Sequence, residues 1–377
     1  MKRLLFSLYF LSNFVFAQTE ILYSKSFQMK NIDSLKLSLK NVPLDIKPSE
    51  DNQIHFDFKL EFENFSDKER ISFLESIKFN EEIIDEVINF DVKSEIELNR
   101  THAFYERVTD DELSKLVNGV IKNYMVFSLK RKSKKEILKK YRKGKGEDYE
   151  KFIRLKEKVI VNNDKKLIKT FFTIRIPKQL NTTIDLKAKQ CNLDFNELEF
   201  KNLNVFVDGG YLKIRKINKS KLTCWNGSVF LGEVDSSIIT ARSTTNILIG
   251  GIANSNIIGE HTKVEIGEVG EYNDIKDFGS RFYLYDFTDS FKKMNFKGEY
   301  SKIYFYEPDN DYKLRAYGNT SVFKYGEIEA KVEPNKEQKK THMFGVKRKY
   351  KKPYAGELYF DIENTEFNLK EFEKKSK

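Results

Sequence analysis

The chain has 377 residues, of which 40% are hydrophobic and 33% are charged, so it can bury a sizeable core and is not an integral membrane protein. Its net charge of +10 is concentrated in two places: residues 130–158 hold fourteen Lys/Arg against five Asp/Glu, and residues 336–352 hold eight against one. The basic character is therefore local to these segments.

The first 17 residues predict a cleaved signal peptide. Lys2 and Arg3 form a positive start, an apolar run occupies residues 4–16, and Ala17 offers a small residue for cleavage. A membrane anchor is the alternative, but the run is shorter than the roughly 20 residues that a span needs. No other long apolar segment follows. We therefore expect an exported chain, in the periplasm, at the cell surface or outside the cell, with no transmembrane span after cleavage.

Residues 18–99 predict an N-terminal β module with one short helix. Apolar and polar residues alternate at period two, which is typical of half-buried strands. The apolar members are Leu35, Leu37, Leu39, Ile54, Phe56, Phe58, Leu60, Phe62, Ile88, Phe90 and Val92. Ser66 and Glu69 form a capping box for the helix. Its buried face would carry Ile71, Leu74 and Ile77.

Residues 100–165 predict a basic, partly helical insertion between two β parts. Thr109 and Glu112 form a second capping box, ahead of apolar residues at helical spacing. These apolar residues are Leu113, Leu116, Val117, Val120, Ile121 and Tyr124. The Lys/Arg-rich stretch that follows is typical of a solvated loop, and attraction to anionic envelope material is the alternative. Export argues against nucleic acid as a partner.

A short repeat runs through residues 166–330. In each unit two apolar residues lie two positions apart, and a third follows three positions later. The units are Leu193/Phe195/Leu198, Leu212/Ile214/Ile217, Val229/Leu231/Val234, Ile247/Ile249/Ile252, Val264/Ile266/Val269 and Phe282/Leu284/Phe287, with Ile303/Phe305 as an imperfect seventh. First positions of the complete units are 17 to 19 residues apart. Because so short a unit cannot bury its apolar face alone, successive units must stack about 4.8 Å apart.

This repeat predicts an all-β protein built around a β-solenoid, or β-helix, with about 18 residues per coil. A meander sandwich with chance spacing is the alternative. A hexapeptide left-handed helix would need a six-residue spacing throughout, and only Ile252, Ile258 and Val264 show it. The handedness of the solenoid is left open. Residues 331–377 predict a basic, charged C-terminal segment with a terminal strand.

The two cysteines are predicted to be free thiols. In the repeat frame Cys191 and Cys224 fall two coils apart, close to 10 Å. A disulfide tolerates a Cα separation of at most about 7 Å, so the two cannot be bridged in this register.

The start of the repeat carries a family resemblance. The stretch 173–178 (TIRIPK), Leu180 and the stretch 184–186 (IDL) precede units in which Gly209 and Gly210 form a turn. Together with the strand pair that ends near Glu63, they resemble an adhesin-like family of exported bacterial β-solenoid proteins, common in Bacteroidetes. The resemblance covers residues 30–63 and 168–305. It implies a β-helical envelope protein of unknown function.

Motifs for metal, cofactor or nucleophile chemistry are weak, so we expect no metal and no cofactor. The four histidines, His55, His102, His261 and His342, show no ligand spacing. Ser228 lacks the flanking glycines of a nucleophile elbow, and residues 225–228 predict a turn. Residues 309–311 resemble the start of a calcium loop, but the glycine and glutamate of that motif do not follow.

A carbohydrate-active enzyme of β-helical type is the alternative function, because such enzymes align carboxylates on one face. Outward candidates are Asp194, Glu233, Glu265, Glu268 and Asp286. Glu233 and Glu268 are predicted at equivalent places two coils apart, with Gly251 between them. A catalytic carboxylate pair needs a separation of roughly 5 to 9.5 Å, so this spacing lies near the limit.

Four tyrosines are the candidate ligand-binding residues. Tyr283 and Tyr285 should stack on Tyr304 and Tyr306 of the next coil and offer flat, exposed faces to a sugar or a protein. The alternative is that they pack under the C-terminal segment or a loop. The sequence therefore predicts an exported cell-envelope or surface protein, non-enzymatic, with an adhesin-like binding or structural role through a solenoid face. Its expected partner is an envelope or extracellular glycan or a surface protein.

Overall fold

A computed structural model describes residues 18–28, 32–98, 101–104, 166–177, 183–306, 312–325, 331–335, 340–347 and 356–370. The predicted signal peptide, the predicted second helix with its basic stretch and the turn at 309–311 lie outside these residues, as do the side chains of His102 and His342. Among the residues described, no helix is both long enough and apolar enough to cross a membrane.

The N-terminal part is a set of strands. They are β1 (Gln18–Gln28), β2 (Ser34–Lys40), β3 (Pro43–Ser49), β4 (Gln53–Glu63), β5 (Ile77–Ile84), β6 (Val87–Ser94), β7 (Thr101–Phe104) and β8 (Lys166–Pro177). The alternating apolar residues predicted in β2, β4 and β6 are all buried. The strand prediction from period-two alternation is confirmed here.

A single helix, α1 (Asp67–Glu75), interrupts these described strands. Its capping box is confirmed, because the Ser66 N–H donates to Glu69 Oε2 at 2.9 Å and the Glu69 N–H donates back to Ser66 Oγ. The predicted buried face is confirmed in part: Leu74 and Ile77 pack against the core, whereas Ile71 is 59% exposed and Phe73 is the buried residue of the helix. The helix ends early because Ser76 caps it, with its Oγ donating to the Phe73 carbonyl at 2.6 Å, and the chain then turns into β5.

The repeat region forms a β-solenoid, which confirms the predicted fold class. Its strands are β9 (Thr183–Lys201), β10 (Leu203–Asn218), β11 (Lys221–Trp225), β12 (Ser228–Asp235), β13 (Ile238–Arg242), β14 (Asn246–Ala253), β15 (Ser255–Glu260), β16 (Lys263–Val269), β17 (Tyr272–Phe278), β18 (Arg281–Leu284), β19 (Lys293–Glu299) and β20 (Lys302–Tyr306). Odd-numbered strands from β11 pair in parallel to form one sheet, face A. Even-numbered strands from β12 form the other, face B. A rung is one strand of face A followed by one of face B, and β9 and β10 each span both faces.

The rung register follows the predicted repeat almost throughout. Leu212 pairs with Leu193 on one side and Val229 on the other, and the same positions continue to Phe282 and Ile303. One assignment is corrected. Ile217 pairs with Phe200 rather than Leu198, because an irregularity in β9 adds residues to the first rung.

Several corners of the solenoid join a left-handed residue to a small buried polar one. At one corner four residues have φ between 48 and 58°: Asn202, Lys219, Ser236 and Asn254. The next residue along the chain bonds to the neighbouring rung: the N–H of Ser220 donates to Ser237 Oγ, and the N–H of Ser237 donates to Ser255 Oγ, both at 3.0 Å. These hydroxyl ladders satisfy buried backbone groups that the turn removes from the sheet.

The N-terminal strands and the repeat form one continuous stack. On face A, β2 lies between β6 and the first half of β9, all parallel. On face B, β3 lies between β8 and the second half of β9. The rung of β2 and β3 is thus inserted between strands that follow it in sequence, and β8 brings the chain back to the stack after residues 105–165.

The C-terminal end repeats this departure from chain order. Its strands are β21 (Tyr312–Asn319), β22 (Val322–Lys324), β23 (Lys331–Asn335), β24 (Lys340–Lys347), β25 (Gly356–Glu363) and β26 (Glu366–Lys370). The last rung, β25 with β26, lies between the rungs β19–β20 and β21–β22 and pairs in parallel with both. The antiparallel strands β24 and β23 continue face A beyond β21.

Cys191 and Cys224 are both buried and free, as predicted. They lie on β9 and β11, with β10 between them. Burial raises the pKa of each thiol to about 11, so both are protonated near neutral pH.

Candidate functional site

The four candidate tyrosines lie together on the outer side of face B. Tyr283 on β18 and Tyr304 on β20 are register neighbours, with ring centroids 4.6 Å apart and an interplanar angle of 8°. Tyr285 and Tyr306 stack at 5.1 Å and 21°. The predicted stacking is confirmed, because the rung spacing of about 4.8 Å places equivalent rings at the distance that aromatic pairs prefer.

The expectation that all four faces are exposed is wrong for one pair. Tyr285 is 3% and Tyr306 4% exposed, whereas Tyr283 and Tyr304 are half-buried. Tyr285 leans back along the previous rung, where its hydroxyl donates to Glu265 Oε2 at 2.9 Å. The inner pair therefore supports the outer pair, and only Tyr283 and Tyr304 present surface.

A buried carboxylate anchors this group. Glu265, on β16, has no exposed surface, and its Oε1 lies 2.6 Å from Lys263 Nζ. The same ammonium is 5.7 Å from the centroid of the Tyr283 ring. Burial raises the pKa of Tyr285 far above its usual value, with the Glu265 charge adding to the effect, and burial also raises the pKa of Tyr283. Both phenols are thus hydrogen-bond donors at neutral pH.

The carboxylates of the enzyme alternative are placed only partly as predicted, because Glu265 is buried instead of pointing outward. Glu233 and Glu268 hold equivalent positions on either side of Gly251. Two rungs separate their backbones by about 9.6 Å, at the edge of the range for a catalytic pair. Lys216 Nζ lies 3.6 Å from Glu233 Oε2. Glu265 is buried beneath the tyrosines rather than aligned with them.

One hydrogen-bonded chain was not found from the sequence. Ser26 Oγ lies 2.7 Å from His55 Nδ1, and His55 Nε2 lies 2.8 Å from Asp51 Oδ1. The ring nitrogens are used in the opposite sense to a serine-hydrolase triad, in which Nε2 faces the serine. Asp51 Oδ1 also accepts from Ser49 Oγ and the Gln53 N–H, and these bonds lower the pKa of Asp51 to about 2. The chain is therefore a turn cap joined across β1 and β4, where Ser26 and His55 are paired.

Other sequence candidates have structural roles. Ser228 follows a corner whose Asn226 has a φ of 51°, so the predicted turn at 225–228 is confirmed. His261 packs edge-on against Phe278, with centroids 5.4 Å apart. In the part of the chain that the structure describes, no three His, Cys, Asp or Glu residues form a metal-sized group.

Face A carries features that sequence reasoning missed. Its outer side and the adjoining corner expose several aromatic rings: Trp225, Tyr272, Phe278, Tyr300 and Tyr359. Near its C-terminal end the described residues line a cavity of about 300 Å³ that is open to solvent and extends across β19, β25 and β21. The polar and aromatic side chains that line it are Lys293, Asn295, Lys313, Arg315, Glu357 and Tyr359. The register of the out-of-order rung brings them together, so chain order could not have shown it.

Comparisons with known proteins assign no family. No family model and no curated protein matches the chain. Among solved structures, a proposed cell adhesion protein from Clostridium sporogenes is aligned over 95% of this chain and 100% of its own, with 12% identity and a TM-score of 0.20. At that TM-score the alignment carries no argument about fold or function.

Proposed function

We propose that this chain is an exported, non-enzymatic binding protein of the cell envelope or cell surface, and that Tyr283 and Tyr304 form its contact with an extracellular glycan. The observation that carries the proposal is the parallel stack of these two rings, 4.6 Å apart at 8°. The stacked rings cover each other's inner faces, so they present their edges and hydroxyls to solvent along two rungs, and this strip can contact the apolar face and the hydroxyls of a sugar.

The surroundings of the stack favour binding over catalysis. Glu265 is fully buried and ion-paired with Lys263, and the pKa of Tyr285 is raised far from neutrality. The Tyr285 hydroxyl is therefore not suited to transfer a proton at neutral pH, where a general acid or base works best, and the buried Glu265 carboxylate is not exposed to a ligand at the surface. Rigid support is instead what a binding surface needs, and the inner tyrosine pair supplies it.

Export rests on the N-terminal sequence, with its positive start, apolar run and Ala17. Expression of the full chain with its native N-terminus, followed by cell fractionation and N-terminal sequencing, tests this part. The expected product begins at Gln18 in the exported fraction. A product that keeps Lys2 and Arg3 in the cytoplasm would overturn it.

Glycan binding is tested with a glycan array and the double variant Tyr283→Leu/Tyr304→Leu. The matched control is Tyr272→Leu, which removes a tyrosine that is 57% exposed on face A. We expect the double variant to lose at least tenfold in affinity, because truncating an aromatic residue that anchors a binding surface costs about 2 kcal/mol or more, and tenfold corresponds to about 1.4 kcal/mol. The control should bind as the parent does.

Three outcomes would contradict this assignment. Unchanged binding by the double variant would remove the tyrosines from the site. Product release from a bound glycan would favour the carbohydrate-active enzyme. Capture of a surface protein, with no glycan bound, would replace the ligand class.

A further inference from the structure

The cavity on face A combines unpaired cations with an aromatic floor. Lys293 and Arg315 are exposed and form no ion pair within the described residues. Glu357 is the register neighbour of both Lys293 and Lys313, and Lys313 Nζ is 3.7 Å from its Oε1. Three cations therefore face a space that holds one carboxylate, so the cavity keeps a net positive charge and favours an anion.

The ring of Tyr359 belongs to the strand between Asn295 and Arg315, which are its register neighbours. It is 37% exposed and packs on Tyr317 with centroids 5.4 Å apart, so its position is fixed from one side. Asn295, its register neighbour, donates from Nδ2 to Asp274 Oδ1 at 2.6 Å. That bond fixes the orientation of the Asn295 amide, so its carbonyl oxygen is held in position to accept a hydrogen bond.

We propose that this cavity binds a carboxylate-bearing sugar unit. Arg315 would pair with the carboxylate through two parallel hydrogen bonds, because a planar guanidinium matches a planar carboxylate. Tyr359 would contact the apolar face of the sugar ring, and Asn295 and Glu357 would accept from its hydroxyls. A volume of about 300 Å³ is at the lower end of ligand cavities and suits one such unit of a chain.

The site differs from the tyrosine stack in face, charge and ligand, so it does not rest on the function proposed above. It also contacts three rungs, because Lys293 is on β19, Tyr359 on β25 and Arg315 on β21. A bound sugar would therefore join the out-of-order C-terminal rung to both neighbours. Binding should protect the amides of β25 from hydrogen exchange as well as filling the cavity.

The test uses calorimetric titration of the chain that begins at Gln18 with three probes: the trimer of galacturonate, the galactose trimer of the same linkage, and inorganic phosphate. The variants are Arg315→Gln, Arg315→Lys and Tyr359→Leu. Lys40→Gln is the control, since it removes an exposed lysine of face A at the other end of the solenoid. Circular dichroism confirms that each variant is folded.

We expect the galacturonate trimer to bind, the galactose trimer to bind at least tenfold more weakly, and Arg315→Gln to lose about tenfold in affinity. Arg315→Lys should recover only part of that affinity. The control Lys40→Gln should bind the galacturonate trimer as tightly as the parent chain does. Equal binding of both trimers, or unchanged binding by Arg315→Gln, would overturn the proposal. Phosphate binding that matches the galacturonate trimer would assign the cavity to simple anions, and no binding of any probe would also refute it.

Discussion

The hydroxyl ladder at the solenoid corner gives a sharp prediction for Ser237→Ala. Ser237 is 2% exposed, accepts from the Ser220 N–H at 3.0 Å and donates to the Asp235 carbonyl at 2.7 Å. The alanine variant leaves the buried Ser220 N–H without an acceptor, while the Asp235 carbonyl keeps its bond from the Lys219 N–H. An unsatisfied buried donor costs about 1–3 kcal/mol, so we expect the free energy of unfolding to fall by about 2 kcal/mol.

Urea unfolding of the chain, followed by circular dichroism, measures this loss. Ser237→Thr should be close to neutral, because Thr365 makes the same two bonds at the other corner: its Oγ1 accepts from the Ser301 N–H at 3.1 Å and donates to the Glu363 carbonyl at 2.8 Å. Ser228→Ala is the control for losing a hydroxyl in a less buried strand position. If Ser237→Ala lowers stability by no more than Ser228→Ala does, the ladder does not hold the corner and the reasoning fails.

Three further predictions concern single groups. Burial raises the pKa of Asp277, so the free energy of unfolding should fall as the pH rises from the unfolded pKa of about 3.9 towards the folded value. Asp277→Asn should remove this fall in urea unfolding measured across that pH range. Equal pH profiles for the parent and the variant would contradict the prediction. Ser66→Ala should destabilise α1 by about 1 kcal/mol, because it removes the capping box. Amide hydrogen exchange in α1 measures this loss, and unchanged exchange rates would count against the prediction. Cys191 and Cys224 should react with a thiol reagent only after urea unfolding, and fast labelling of the folded chain would exclude the buried placement.

Rung register was predictable because the apolar period is also the period of the fold. Residues such as Val229 and Ile247 are equivalent in sequence and paired in space. The corner ladder carries a signal of the same kind, since Ser220, Ser237 and Ser255 are 17 and 18 residues apart. Polar residues at a constant period inside a buried stack indicate a ladder as surely as apolar ones indicate a core.

Burial of Tyr285 was not predictable from the repeat. A period gives the rung of a residue and the face of its strand, and Tyr285 comes directly after β18 ends. Its direction is decided by one contact, the hydrogen bond to Glu265 on the previous rung. The repeat places Glu265 as an outward carboxylate, and nothing in the sequence pairs it with Tyr285, so their mutual burial shows only in the structure.

The position of the C-terminal rung also lay beyond the repeat, because β21 and β25 both carry a strand pattern and either could stack on β19. Side-chain size decides between them. Phe360 of β25 packs between Phe296 at 5.6 Å and Phe367 at 4.9 Å, filling the core next to β19.

The matching residues of β21 are small. Ala316 pairs with Phe360, and a Cβ at Gly318 would lie 2.7 Å from the Phe323 ring, which occupies the space beside that glycine. Direct stacking of β21 on β19 would set Ala316 against Phe296 and leave a void where Phe360 now lies, at a cost of several kcal/mol. The absence of a side chain at Gly318 leaves room for the Phe323 ring, which lies directly beside it. The large side chains of β25 need a rung on each side, and insertion between β19 and β21 provides both.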